Sequence, residues 1–107
     1  MHWVELYRRR VTTAEEAVKS VRSADHVWIH GGCNNPEELI SALVARADEL
    51  ANVEIIHILT FGRADYVEEK YQKSFRHRAL FVGHNVRRAI NEGRADFVPV
   101  YLSMIPR

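Results

Sequence analysis

The fold is decided by residues 26–60, whose sequence is HVWIHGGCNNPEELISALVARADELANVEIIHILT. His26–His30 is a short run rich in β-branched and aromatic residues, which favours a buried strand. Val53–Thr60 is apolar almost throughout, as is typical of a parallel strand covered on both faces. Between them, Asn35 is predicted to be the N-cap of a helix whose first residue is Pro36. The segment therefore predicts a strand–helix–strand unit.

The helix of this unit carries two independent signals. Glu37 and Glu38 lie in its first turn, where carboxylates complement the positive end of the helix dipole. Apolar residues then recur at helical intervals and form a broad face: Leu39, Ile40, Leu43, Val44, Ala47 and Leu50. Asn52 is predicted to close the helix.

The same alternation of helices and strands continues on both sides. Thr13 is a predicted N-cap with Glu16 at the capping-box spacing, so a helix is expected over Thr13–Val21. Arg8–Arg10 is expected to flank an earlier helix. Four further elements are predicted: a short helix at Tyr66–Gln72, a strand at Ala79–Val82, a helix at Val86–Glu92 ended by a left-handed Gly93, and a strand at Asp96–Tyr101.

Strands that alternate with helices indicate an α/β fold, with a mainly parallel sheet and flanking helices. The chain has 107 residues, 47% of them hydrophobic, which suits a single domain with its own core.

Composition excludes several classes of protein. Lys+Arg is 15 and Asp+Glu is 14, a net charge of +1, so no excess of basic charge points to nucleic acid. The single cysteine, Cys33, excludes an internal disulfide. No apolar stretch approaches the ~18 residues that span a bilayer, and the N-terminus lacks the layout of a secretory signal. We therefore expect a cytoplasmic protein with neither a nucleic acid nor a membrane as partner.

Ligands of open α/β sheets bind outside the carboxyl ends of the strands. Here the predicted ends are His30–Asn35, Thr60–Arg63, Gly83–Asn85 and Leu102–Ser103. In the first of these, Gly31 and Gly32 would let a ligand approach the backbone closely, and the following helix N-terminus would favour an anion. The alternative is a tight turn with no ligand, because the loop is neither a dinucleotide fingerprint nor a P-loop.

Candidate catalytic groups are few. Cys33 precedes a helix N-terminus and His30 lies three residues before it, so a thiol nucleophile with a histidine base is conceivable. The favoured alternative is an inert, small semi-buried thiol. The six histidines show no metal-ligand spacing and are interpreted as separate structural or surface residues, so no metal is expected.

Four stretches carry a resemblance to a known family: Trp3–Val21, Leu43–Ile55, Phe75–Arg87 and Ala89–Pro99. Together they resemble the N-terminal part of the acetyl-CoA hydrolase/transferase family, which includes 4-hydroxybutyrate and acetate CoA-transferases. The likeness extends over essentially the whole chain. It implies a CoA-transferase-like fold in which residues 1–107 form a partial α/β domain and a second, catalytic domain is absent.

The resemblance also implies a chemistry. In the family, a glutamate of the second domain attacks an acyl-CoA and forms a mixed anhydride, then a glutamyl-CoA thioester. No catalytic residue is therefore assigned here, and the chain is expected to be inactive alone. The loop after the first strand is implied to face the cleft, which gives these candidate substrate-binding residues: Gly31, Gly32, Cys33, Asn34, Asn35, Thr60 and Asn85.

Two main hypotheses follow. In the first, the chain is the N-terminal part of a CoA-transferase or acyl-CoA hydrolase, with a CoA thioester as substrate and no permanently bound cofactor. Its partners would be acyl-CoA, a small carboxylate, the missing C-terminal domain or a partner chain, and further copies in a homo-oligomer. In the second, the chain is a non-catalytic module that binds small carboxylates, or a truncated module that self-associates. A third hypothesis makes Cys33 a redox or acyl-transfer thiol.

Overall fold

The computed structural model describes residues 2–106. Its centre is a four-stranded sheet in the order β1-β2-β3-β4, and every neighbouring pair is parallel. The strands are β1 (His26–Trp28), β2 (Val53–His57), β3 (Phe75–Ala79) and β4 (Ala95–Phe97). The predicted α/β class with a parallel sheet is confirmed.

The α-helices of residues 2–106 are α1 (Trp3–Arg10), α2 (Ala14–Ala17), α3 (Glu37–Ala45) and α4 (His84–Asn91). Single 3-10 turns occupy Val18–Ser20, Ala47–Glu49, Asp65–Val67, Glu69–Tyr71 and Leu102–Met104. The predicted cap of α2 is confirmed, since the Glu16 amide donates to Thr13 Oγ1 at 3.2 Å. In the described part of the chain, no helix has the length and apolar character needed to cross a membrane.

The prediction for the third strand was wrong. The strand was expected at Ala79–Val82 but lies at Phe75–Ala79, before the apolar run. Its side chains alternate: Phe75, His77 and Ala79 are buried, whereas the two arginines between them point to the other face. Those arginines are stabilised by partners on neighbouring strands, because Arg76 pairs with Asp96 of β4 and Arg78 pairs with Glu54 of β2.

Smaller differences affect element ends. Helix α3 begins at Glu37 with Pro36 as its N-cap, one residue later than predicted, and ends at Ala45. The expected short helix at Tyr66–Gln72 is two 3-10 turns, and β4 covers Ala95–Phe97 rather than Asp96–Tyr101. Gly93 follows α4 with φ +74°, the left-handed conformation that was predicted.

The core lies on one face of the sheet. Connections between sequential parallel strands are right-handed, so all three fall on the same side. Buried residues of the strands pack there against the helices: Val53, Ile55, Phe75 and Ala79 with Val18, Ile40, Leu43, Val44 and Val86. The opposite face carries the half-exposed side chains of Trp28, Arg76 and Arg78. Parallel sheets are normally covered on both faces, whereas the described residues cover only one face of this sheet.

Candidate functional site

Three of the four predicted strand ends meet at one edge of the sheet. Gly32 pairs with Thr60 in a parallel bridge, and the Gly32 amide donates to the Leu59 carbonyl at 2.6 Å. Asn85 Nδ2 donates to the Thr60 carbonyl at 3.2 Å and to the Gly62 carbonyl at 2.7 Å. The loops after β1, β2 and β3 therefore form one continuous edge, as the alternation of elements predicted.

The fourth predicted end is not part of this arrangement. Leu102–Ser103 falls within the 3-10 turn Leu102–Met104. Among the described residues, the hydrogen bonds of that turn are local, from Met104 to Tyr101 and from Ile105 to Leu102. We therefore restrict the candidate site to the three loops.

The first loop requires both of its glycines. A Cβ at Gly31 would overlap the carbonyl oxygen of Leu59, and Gly32 has φ +65°. The next two residues, Cys33 and Asn34, are exposed. Within residues 2–106, the backbone N–H groups of Cys33, Asn34 and Asn35 donate no hydrogen bond. Three consecutive free N–H groups can hold an anionic ligand atom.

The N-terminus of α3 is already engaged by the protein itself. Glu37 Oε1 accepts from Asn35 Nδ2 at 2.5 Å and from the Arg63 amide at 3.2 Å. Glu38 adds a second carboxylate in the same turn. A ligand carboxylate at this helix end would meet these two negative charges, so the loop amides, rather than the first turn of α3, are the groups suited to an anion.

Thr60 and Asn85 lie behind this surface. Thr60 is only 2% exposed, and its Oγ1 accepts from the Gly62 amide at 3.0 Å. The Asn85 amide group donates to two carbonyls, and its Oδ1 is shielded without a hydrogen-bond partner. Both residues support the loop after β2 from inside.

Two depressions flank this edge. A small apolar one of about 370 Å³ is lined by Trp28, His30, Gly31, Gly32, Ile58 and Leu59. A wider, open one of about 1040 Å³ lies on the far side of the loop after β2, where its lining includes Glu15, Glu37, Glu38, Ser41, Phe61 and Arg63. The apolar depression is lined by Gly31 and Gly32, which directly precede the free amides in the chain, whereas the larger one carries three carboxylates against the single guanidinium of Arg63.

Sequence reasoning missed a buried cluster of His57, His77 and Tyr66. The two imidazole rings lie 4.3 Å apart between centroids, and His57 Nδ1 is 3.0 Å from the Tyr66 hydroxyl. His77 Nδ1 is 2.9 Å from the Ile55 carbonyl. The sequence spacing predicts separate histidines, but the parallel register of β2 and β3 pairs Ile55 with His77 and so brings His77 next to His57.

Burial decides the protonation of this cluster. Desolvation, followed by repulsion from His77, lowers the pKa of His57 to about 3. Desolvation lowers the pKa of His77 to about 4, although the Ile55 carbonyl and Asp96 favour its charged form. Desolvation and the charge of Glu37 raise the pKa of Tyr66. All three groups are therefore neutral near pH 7, and they are part of the core rather than of the edge.

The remaining candidates form no reactive cluster. Cys33 is a free thiol that is exposed, so the expectation of a semi-buried thiol was wrong, and within residues 2–106 it forms no hydrogen bond with His30. The described residues contain no group of three or more histidine, cysteine, aspartate or glutamate side chains that could hold a metal ion.

Residues 1–107 match the family model for the acetyl-CoA hydrolase/transferase N-terminal domain. The 4-hydroxybutyrate coenzyme A transferase of Clostridium kluyveri is 38% identical over 106 residues, which are 99% of this chain and 25% of that protein. The succinyl-CoA:acetate/propanoyl-CoA:succinate CoA transferase of Fasciola hepatica is 36% identical over 97 residues, 89% of this chain and 20% of that protein.

Solved structures show the same fold. The crystal structure of RipA from Yersinia pestis matches with a TM-score of 0.89 at 24% sequence identity. The match covers 100% of this chain and 27% of that one. The chain thus spans about a quarter of the length of the proteins that it matches.

Proposed function

Since this chain belongs to the acetyl-CoA hydrolase/transferase family and corresponds to the N-terminal domain of that family, we propose that it is part of an enzyme that moves CoA between an acyl-CoA and a small carboxylate. Acetate and 4-hydroxybutyrate are the acids that we propose first, and hydrolysis of the acyl-CoA is the related alternative. The CoA thioester is a substrate in this proposal, with no permanently bound cofactor. A cytoplasmic location belongs to the same proposal.

In this proposal the chain contributes a wall of the substrate pocket. The observation that carries it is the row of free N–H groups at Cys33, Asn34 and Asn35, beside an apolar depression lined by Gly31 and Gly32. The amides suit the carboxylate or carbonyl oxygen of a small acid, and the depression suits its carbon chain. Thr60 and Asn85 contribute from behind by holding the neighbouring loop.

The nucleophile would come from elsewhere. The first turn of α3, beside these loops, carries two acidic side chains. Glu37 is hydrogen-bonded to Asn35 and to the Arg63 amide, and Glu38 is exposed. The first matched relative is about four times as long as this chain, which spans 25% of it. We propose that a second domain or a partner chain supplies the attacking carboxylate. Trp28, Phe61 and Phe81, all at least half exposed, would lie in the contact with it or with further copies.

Calorimetry on the chain tests the wall. We expect acetate and 4-hydroxybutyrate to bind with a Kd of about 1 mM, worth about 4 kcal/mol, with no release of CoA from acetyl-CoA. Asn34→Asp adds a negative charge beside the free amides and should weaken this binding about tenfold. Gln72→Glu adds the same charge at an exposed position in the loop before β3 and should leave binding unchanged.

Two results would count against this proposal. Equal carboxylate affinity in the wild type and Asn34→Asp would show that the loop amides do not bind the carboxylate. Turnover of acetyl-CoA by the 107-residue chain would show that the nucleophile lies within it.

The alternative is a non-catalytic module that binds small carboxylates or associates with itself. The exposed aromatic side chains of the two outer strands, Trp28 in β1 and Phe97 in β4, favour self-association. Sedimentation velocity distinguishes this function: a stable dimer that persists on dilution supports it, and a monomer at high concentration argues against it.

A further inference from the structure

We propose that Glu37 and Asn85 are positioning residues, which hold the loop Thr60–Arg63 in register with the substrate wall from its two sides. The inference rests on the proposed function, because it concerns how that wall is kept in shape. Glu37 belongs to α3 and Asn85 to α4, so each connects a helix to the loop between them.

Asn85 holds the loop by hydrogen bonds from its side chain to two backbone carbonyl oxygens of the loop. Its Nδ2 group donates to the carbonyls of Thr60 and Gly62, two residues apart, at 3.2 and 2.7 Å. Both acceptors are carbonyl oxygens, so the amide is fixed with its nitrogen toward the loop. A reversed amide would place Oδ1 against two carbonyl oxygens.

Glu37 holds the other end of the same loop. Its Oε1 accepts from the Arg63 amide at 3.2 Å and from Asn35 Nδ2 at 2.5 Å. One carboxylate oxygen therefore bridges Arg63 of the loop after β2 and Asn35 of the loop after β1. Charge-assisted hydrogen bonds of this kind are stronger than neutral ones.

Gly62 is fitted closely between these contacts. A Cβ at this position would overlap the Asn35 amide and the Glu37 carboxylate. On the other side, a Cβ at Gly83 would come within 2.9 Å of Asn85 Oδ1. The close fit at Gly62 leaves the loop little room to shift toward the side chains of Asn35 and Glu37.

The consequence for binding is direct. The loop after β2 pairs with Gly32, the residue just before the free amides. Movement of Thr60–Arg63 would therefore move Gly32 and displace the three amides that follow it in the chain. Loss of either positioning residue should weaken carboxylate binding although neither residue's hydrogen-bonding group faces the ligand.

Amide hydrogen exchange by NMR tests the positioning. We expect about tenfold faster exchange of the Arg63 amide in Glu37→Ala, because its acceptor is lost, and about tenfold faster exchange of Gly62 in Asn85→Ala. Glu37→Gln retains an oxygen acceptor and should restore most of the protection, and the Ile55 amide of β2 should be unaffected in every variant. Glu38→Ala, an exposed neighbour in the same turn, is the matched control.

Asn85→Asp adds a pH readout that a purely structural defect would not give. An ionised carboxylate cannot donate to the Thr60 and Gly62 carbonyls, but a protonated one can donate once. Its loop protection, compared with that of the wild type at the same pH, should therefore recover on acidification, whereas the loss in Asn85→Ala should not.

The outcomes separate the two proposals. Unchanged loop exchange in both Glu37→Ala and Asn85→Ala would overturn the positioning role. Faster exchange with weaker acetate binding supports it, and faster exchange in a chain whose wild type binds no acetate would overturn the proposed function instead. Loop exchange that changes while acetate affinity does not would overturn the inference that positioning controls the wall.

Discussion

Acidification should destabilise the fold through its buried histidine pair. The pKa values of His57 and His77 are lowered to about 3 and about 4 in the fold, from the ordinary histidine value of 6.5. A lowered pKa means that the folded state binds fewer protons than the unfolded state below pH 6.5. Stability is therefore complete above that pH and falls as the pH decreases toward 4 and 3.

The magnitude follows from the distance between the working pH and the unfolded pKa. About pH 5 is about 1.5 pH units below the pKa of an unfolded histidine. At that pH, protonation stabilises the unfolded state by about 2 kcal/mol for each of the two histidines. Both histidines together give about 4 kcal/mol, a large part of the ~5–15 kcal/mol that stabilises a typical domain. Asp96, whose pKa is lowered mainly by its hydrogen bond from Arg76, contributes only at lower pH.

Urea unfolding followed by circular dichroism measures this loss at about pH 7.5 and about pH 5. His77→Gln removes one of the two titrating groups and should halve the loss to about 2 kcal/mol. His84→Gln, at an exposed position, should retain the full loss. Equal free energies of unfolding at both pH values in the wild type, or an unchanged loss in His77→Gln, would refute the assignment of acid sensitivity to this pair.

Three further predictions concern the sheet and its edge. Gly31→Ala should cost about 1–3 kcal/mol in urea unfolding, because its Cβ would overlap the Leu59 carbonyl oxygen. Arg76 and Asp96 make contacts of 2.8 and 2.6 Å between half-exposed side chains. Their coupling free energy in a double-mutant cycle should therefore be about 0.2–1 kcal/mol. A larger value would mean that this face of the sheet is covered in solution. Cys33 should be fully alkylated in the native state, as detected by mass spectrometry, and the bulky adduct should abolish acetate binding; retained affinity would place the ligand elsewhere.

Local sequence signals were sufficient where an element carries its own signature. The β1–α3–β2 unit is encoded by a β-branched run, an acidic first turn and an apolar helical face, all within 35 consecutive residues, 26–60. The convergence of strand ends follows from topology, and the Gly32–Thr60 bridge confirms it. The position of β3 was predicted wrongly because Arg76 and Arg78 pair with residues of neighbouring strands. No local sequence pattern indicates that these partners are Asp96 and Glu54.

The candidate site shows the same limit. Two adjacent glycines predicted the close approach of a ligand to the backbone, whereas the structure places Gly31 against the Leu59 carbonyl of the protein itself. Glu37 was interpreted only as a first-turn carboxylate, because its bond to the Arg63 amide joins residues 26 apart in the sequence. Contacts of this length depend on register between elements, which sequence periodicity does not encode.

Titration of the ¹⁵N-labelled chain with acetate and 4-hydroxybutyrate, followed by NMR, tests most directly whether the edge of this sheet is a substrate wall. We predict that the amide resonances of Cys33, Asn34 and Asn35 shift together and saturate with a Kd of about 1 mM. Resonances of the acidic depression around Glu15 and Ser41 should stay in place. Shifts confined to that depression, or no shift at any carboxylate concentration, would contradict the assignment of the loop after β1 as the site.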